Sequence, residues 1–322
     1  MRGDPPPPGQ TRRHWKFVWD DLDALPPTGG NDYQPKGGAM RLYQHGTFAG
    51  EKLEPFPAIK QKRKLQPFGR CIYCGRSHDA DGARLALTSE HIIPEFLGAG
   101  LELPTASCHD CQKITGAIEH SIAREMFDPV RTAFAIKGKN GVPNNTNFPL
   151  DVGRETSQHD FVPLVHYPTV LVLPALYPAS SYSRRPIQAD DPFNFRMYNI
   201  NADAKYLRMY GLKGFSSQHI DMVRFAQMIA KIAYAYAMYH WAGKLRPTVA
   251  DFVRTHFPKE QEVVGHFGHV GGFLEGSEKP TSSLHELEAG KLSWGNLTYL
   301  AVRVRLFASY DMPSYYVTVG SP

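Results

Sequence analysis

The sequence predicts an α+β protein in which a small metal-pinned module precedes a larger domain built on a long helix and an antiparallel sheet. Three observations carry this. The only four cysteines of the 322-residue chain fall as two C-x2-C pairs, Cys71/Cys74 and Cys108/Cys111. The run Gln218–Trp241 repeats its apolar residues near a 3.6 period. Near the C-terminus, Leu297–Phe307 alternates Val302, Val304 and Leu306 with Arg303 and Arg305, and YYVTVG at 315–320 reads as its partner strand after the Asp311-Met312-Pro313 turn.

The composition, 42% hydrophobic and 21% charged, is that of a globular chain. No apolar run approaches the ~20 residues of a membrane helix. The N-terminal residues MRGDPPPPGQTRRHWKF lack an apolar core, so no secretory signal is expected and the cytoplasm is the default location. The net charge of +5 alone does not imply nucleic acid. Its distribution is more informative. Between Pro55 and His78 lie Lys60, Lys62, Arg63, Lys64, Arg70 and Arg76, with no acid among them. Such a run is a solvated face or, beside a nucleic-acid site, an arm that contacts phosphates without reading bases.

Four segments follow. Residues 1–55 are rich in Pro and Gly and are expected to gain order only by docking, with Trp15–Leu22 as one short docked piece. Residues 56–128 hold the cysteines. Here we expect a strand near Arg84–Thr88, a loop through GAGLELPT, and a helix from Gln112 to Phe127 that Asp128-Pro129 stops. Residues 129–165 form a loop-rich connector, with 137–160 read as loop. Residues 166–322 form the second α+β domain: a strand at Pro168–Leu173, the long helix over Gln218–Trp241, and the terminal strands.

Cysteines this sparse and this spaced point to a metal rather than disulfides. In each C-x2-C turn both sulfurs face one point, and two such turns close the tetrahedron that Zn2+ prefers, leaving no position for water. The quartet is therefore read as a structural zinc site.

Between the two pairs lies LTSEHIIP, Leu87–Pro94. Adjacent strand residues face opposite sides, so Glu90 and His91 can serve different partners. A bare Glu-His pair is weak, but here the order is C-x2-C, strand, EHIIP, a Gly-containing loop, C-x2-C, helix. On Cys71, Cys74, Glu90-His91-Ile92-Ile93-Pro94, Gly98, Cys108 and Cys111, about 60 residues resemble the HNH endonucleases, the ββα-metal or His-Me finger nucleases, in their four-cysteine zinc branch. More loosely, KIAYAYA at 231–237 and VRLFASYDMPSYYVTVG at 303–319 look like parts of uncharacterised bacterial HNH proteins.

The resemblance implies a ββα-metal module and an endonuclease that hydrolyses phosphodiester bonds. It implies His91 as the general base, Glu90 as ligand to a catalytic Mg2+ or Mn2+, and nucleic acid as substrate, DNA being the first expectation and RNA left open. The family places Asn directly after the last cysteine; this sequence has Gln112, whose amide can ligate from one methylene further out. No Asn occurs at Leu103–Thr105, where the family's middle Asn would orient the histidine, and either Thr105 or a backbone carbonyl is expected in its place. Glu119 and His120, further along the helix, are additional candidates for the metal or the chemistry. A homodimer would let one site per chain cut both strands of a duplex, and the second domain is a place for a regulatory ligand or protein. The alternative is a catalytically inactive, zinc-stabilised nucleic-acid-binding module. His109 is expected to be exposed. His266 and His269, with Glu260 and Glu262, sit among helix-breaking glycines and are set aside, and His285-Glu286 lacks the second histidine of a helical zinc motif.

Overall fold

The structure is a computed structural model that describes residues 2–3, 14–19, 46–56, 63–98, 100–138, 141–142, 147–150, 160–185, 194–210, 215–241, 245–247, 249–256, 268–272 and 279–321. In chain order, the strands of the first half are β1 Arg2–Gly3, β2 His14–Trp19, β3 Gly46–Phe56, β4 Arg63–Lys64, β5 Leu87–His91 and β6 Leu101–Cys108. Helices α1 His109–Glu125 and α2 Asp128–Ala133 follow, then β7 Asn147–Leu150, β8 Asp160–Pro163 and β9 Val170–Ala175. The second half continues with α3 Ser180–Ser183, β10 Asn194–Asn199, α4 Ala204–Met209, β11 Phe215–Asp221 and α5 Met222–His240. It ends with β12 Arg246–Pro247, α6 Ala250–Arg254, β13 Val270–Gly271, β14 His285–Trp294, β15 Leu297–Leu306 and β16 Ser314–Ser321. The protein is mixed α+β, with several antiparallel sheets and a few helices. Among the described residues no helix is long and apolar enough to cross a membrane.

The largest sheet runs β12-β16-β15-β14-β3, with β13 also on β16. Its centre is the expected C-terminal pair, Leu300↔Gly320 to Arg305↔Ser314. Its far member is not expected from the sequence. β3 pairs along its length with β14, from Gly46↔Trp294 to Phe56↔His285. The division between residues 55 and 56 thus cuts through a strand, and the Pro/Gly-rich extension supplies part of the C-terminal sheet. The physical reason is that GTFAGEKLEPF needs a partner nearly 240 residues away to become a strand, and local composition does not show it. β2, which overlaps the expected docked piece over Trp15–Trp19, pairs with β11.

Other elements shift for local reasons. The strand expected at Arg84–Thr88 runs Leu87–His91, so Glu90 and His91 belong to it. The segment Leu101–Cys108, expected as loop, is a strand antiparallel to β5, with Leu101 and Leu103 buried. Pro104 is accommodated because the pairing slips there: Thr88 faces Ser107, but Glu90 faces Leu103. The extra β6 residues include Thr105 at φ 47°. Helix α1 starts earlier than expected, at His109, and Pro129 begins a new short helix rather than ending one, as its preset φ and missing N–H allow. Within 137–160, read as loop, lies β7, which pairs with β8. Strand β9 lies two residues beyond the predicted one. The long helix begins at Met222, because Asp221 caps it by accepting hydrogen bonds from the Val223 and Arg224 N–H groups at 3.0 Å each, and the residues before it are strand.

Helix α5 is the centre of the molecule. Sixteen of its nineteen residues are buried. It packs against α1 on one side and against β14, β15 and β16 on the other. One apolar core runs without interruption from Ile72, Ile92 and Ile122 around the cysteines to Val302 and Val317 in the sheet.

His285 joins the sheet to the segment that carries Glu90 and His91. Its Nε2–H donates to the Leu97 carbonyl at 2.8 Å, and Nδ1 accepts from the Phe307 N–H at 3.1 Å. Burial holds its pKa down to about 4, against a smaller opposing effect of the Leu97 carbonyl. Between that value and the ordinary 6.5, the unfolded chain binds the proton more tightly. Stability conferred by neutral His285 is therefore complete above pH 6.5 and lost as the pH falls toward 4, a loss of about 3 kcal/mol. Urea unfolding at pH 7 and pH 4.5 is expected to show most of that loss in the wild type and a smaller one in His285→Gln.

Candidate metal centre and polar site

The two cysteine pairs are built by different local means. The first is a turn: the Gly75 N–H donates to the Cys71 carbonyl, the Cys71 N–H to the Arg76 carbonyl, both at 2.9 Å, and Gly75 takes φ 74°, where a side chain would be strained. The second is the start of a helix: Cys108 is the N-cap of α1 and Cys111 lies in its first turn, where the positive end of the helix dipole favours thiolates. The turn is hung on the bulged strand β6. The N–H groups of Phe68, Gly69 and Ile72 donate to the carbonyls of Pro104, Thr105 and Ala106. Thr105, expected as a substitute for the histidine-orienting Asn, has its hydroxyl on the Gly69 N–H at 3.2 Å instead.

All four sulfurs lie within 4.8 Å of one another. Sulfurs bound about 2.3 Å from a tetrahedral zinc are about 3.8 Å apart, and Cys74 Sγ to Cys108 Sγ is 3.7 Å. The quartet is compatible with zinc in donor type, number and spacing. Burial pushes the Cys71 and Cys111 thiols up. Burial also opposes ionisation of Cys74, but hydrogen bonding from Arg76 and the neighbouring sulfurs outweighs it and brings this thiol down to about 6. A bound dication would remove the penalty on all four thiolates.

Arg76 therefore belongs to the cysteines. Its Nε donates to Cys74 Sγ at 3.4 Å and its Nη2 to Asp110 at 3.1 Å. Of the other residues of the basic run, Arg63 pairs with Glu54 at 2.7 Å and Lys64 with Glu102 at 3.8 Å. Arg70 lies over the Phe68 ring. Lys60 and Lys62 lie outside the described residues. Arg63, Lys64 and Arg76 are thus matched to carboxylates within the chain, and the arm is less free for phosphates than its sequence suggests.

Glu90 and His91 diverge as strand neighbours do. Glu90 is buried, 4% exposed, and His91 is half-buried on the other side. His91 Nε2 lies 3.7 Å from a Glu95 carboxylate oxygen. The sequence reading passed over Glu95; its only signal was its place one residue after EHIIP.

Glu90 faces a cation that the sequence reading also missed. Lys231, from the middle of α5, places Nζ 2.6 Å from Glu90 Oε1 and 2.8 Å from Glu119 Oε1, and donates to the His91 carbonyl as well. Lys231 is buried. Burial opposes its charge, but the Glu119 and Glu90 carboxylates outweigh that and hold its pKa above the ordinary value. Burial pushes the Glu90 carboxyl up, against the pull of Lys231 and with the repulsion of Glu119. The Tyr73 hydroxyl, also buried, lies beside Glu90; burial first and then the Glu90 charge hold it well above the ordinary tyrosine range. The available signal was a lone lysine in the apolar run MIAKIAYAYAM.

Of the helix candidates, only Glu119 joins Glu90. Gln112 and His120 are exposed, as is His109. His269 Nδ1 lies 3.1 Å from the Thr318 hydroxyl, and Glu260, Glu262 and His266 lie outside the described residues. A second tie comes from α5: the Tyr234 hydroxyl donates to the Ile72 carbonyl in the first cysteine turn at 2.7 Å.

No protein family, no curated protein and no solved structure matches the chain.

Proposed function

We propose that the chain is an HNH-type endonuclease that hydrolyses phosphodiester bonds in nucleic acid, first of all DNA, with His91 as general base on a platform pinned by structural zinc. The observation that supports it best is the divergence of the Glu-His pair at the end of β5: the carboxylate turns inward and the imidazole stays half-exposed beside Glu95. In this reading Nε2–H of His91 faces Glu95, and Nδ1 takes the proton from a water as its oxygen attacks phosphorus. The Glu95 carboxylate favours the imidazolium that forms. The bond to the 3′ oxygen breaks as the new P–O bond forms. Cys71, Cys74, Cys108 and Cys111 hold the zinc, which fixes β6 and the start of α1 and takes no part in the chemistry. A catalytic Mg2+ or Mn2+ does not fit at Glu90 while Lys231 is there, so no step is assigned to one.

One observation favours a second reading, a zinc-stabilised nucleic-acid-binding module without catalysis: the carboxylate pair Glu90 and Glu119 is closed by Lys231. Plasmid DNA, single-stranded DNA and RNA incubated with Mg2+ or Mn2+ separate the two. Cleavage by the wild type that falls ~100- to 10,000-fold in His91→Ala is expected for the hydrolase. Equal cleavage by both proteins would remove His91 as the base. Binding without cleavage would support the module.

A further inference from the structure

We infer that Arg131 holds a backbone phosphate of the nucleic-acid strand next to the one that His91 faces, and so positions the strand in this site. The inference rests on the reading of His91 given above for where the strand lies. It concerns binding and does not require that His91 hydrolyse anything.

The place is set by two segments that pack together. The single turn Glu95–Leu97 follows the strand that carries Glu90 and His91, and it supplies the carboxylate beside His91. Helix α2 and residues 134–138 lie against that turn. The Phe96 and Phe127 rings are 5.9 Å apart, and a Cβ at Gly98 would meet Ile136 Cγ2 at 3.4 Å. The Arg131 N–H donates to the Phe127 carbonyl, and the Arg131 carbonyl accepts from the Ile136 N–H, both at 2.8 Å. The Arg131 backbone is thus held on both sides. Its guanidinium carbon lies 5.8 Å from the centroid of the Phe96 ring. A Cβ at Gly138 would stand 3.1 Å from Arg131 Nη2 and 3.8 Å from the Glu95 carbonyl oxygen. The guanidinium therefore shares one small neighbourhood with the backbone of the residue that faces His91, and the lack of a side chain at 138 lets the chain come this near.

A separate observation points to a ligand. Arg131 Nε is buried and has no hydrogen-bond partner, whereas buried polar groups are normally satisfied. The residue as a whole is half-buried. Among the described residues no carboxylate forms an ion pair with it. Burial pushes its pKa down, and the Asp128 charge offsets only part of that. Arg63, Lys64 and Arg76 differ, because each has a carboxylate of this chain. A guanidinium presents its donors in a planar fork that fits a phosphate. A strand phosphate would supply both the acceptor and the charge that the chain withholds from Arg131. Lys137, exposed beside Gly138, adds a second positive charge at the same turn.

The test follows binding of a short labelled DNA duplex by fluorescence anisotropy as salt rises from about 50 to 200 mM. The full-length, zinc-loaded protein carries His91→Ala in every arm, so that the duplex stays whole. Adding Arg131→Met is expected to make the slope of log affinity against log salt shallower by about 0.9, the share of one phosphate. The affinity ratio of the two proteins then narrows about 3-fold across that range. Arg131→Lys is expected to regain most of the slope, because the salt dependence counts charge. A residue that only packed on Phe96 would move the slope in neither variant. A folded Arg131→Met protein with an unchanged slope overturns the inference, as does a protein with Arg131 intact that binds no duplex. If Arg131→Met does not fold, Gly138→Ala keeps the charge but crowds Nη2. It is expected to weaken duplex binding with an unchanged melt, and unchanged binding overturns the inference. A wild type that cuts nothing would leave the slope difference standing, whereas cleavage without a slope difference would remove Arg131 alone.

Discussion

Stripping the metal from the cysteine quartet is expected to unfold the segment from Arg63 to Glu125. Three of the four thiols are buried, and the quartet links the turn at Cys71 to the start of α1. Structural zinc contributes on the order of 10–16 kcal/mol in small zinc modules, as much as the ~5–15 kcal/mol that holds a typical domain together. The core beneath the quartet, Ile72, Ile92, Ile118 and Ile122, continues into α5, so the loss is expected to spread into the sheet. Elemental analysis should find about one zinc per chain. Chelation, or Cys108→Ser, should then abolish the cooperative thermal transition. A metal-free protein with an unchanged melt would remove zinc from the account.

The second large effect is expected at Lys231. Lys231→Met leaves Glu90, buried beside Glu119, with no cation. Removing one partner of a buried charge pair typically costs about 3–5 kcal/mol, because the remaining charge is stranded. Replacing all three charges together, Lys231→Met with Glu90→Gln and Glu119→Gln, strands nothing and should recover most of that loss. Urea midpoints of the single and triple variants check this. A single variant as stable as the wild type would mean that the carboxylates find water or another partner. A triple variant no better than the single one would mean that the lysine acts through its packing, not its charge.

These residues also show what a sequence can and cannot reveal here. The cysteine quartet was legible because ligand spacing is a local constraint. The position of Glu90-His91 was legible to within a few residues, because a strand between two cysteine pairs has few alternatives. Helix α5 was legible because its apolar period is strong, although the capping Asp221 set its start. Lys231 was not legible as a site residue. Its partners Glu119 and Glu90 lie more than 100 residues before it, and within its own helix it appears as one charge in a core stripe. Strand β6 was hidden by Pro104, which argues against a strand unless a bulge makes room. Strand β3 was hidden by its composition and by the distance of its partner. In each miss the deciding interaction was long-range, and the local signal was neutral or pointed the other way.

The pairing of β3 with β14 has a consequence for how the molecule comes into being. These strands are hydrogen-bonded neighbours, yet the chain leaves the sheet at Phe56 and returns only at His285. Between them lie the cysteine segment, the polar site and α5. Closing a loop of roughly 230 residues costs about 5 kcal/mol of chain entropy beyond a length-independent constant, which favours forming the intervening elements first. Proteins dominated by such distant contacts fold slowly. The platform for His91 is thus an excursion from a sheet, completed when the first long strand finds its place beside one of the last. A nascent chain would hold its cysteines, Glu90 and Lys231 well before it could close the sheet around them, and a chain cut short before β14 would lack the strand that β3 pairs with.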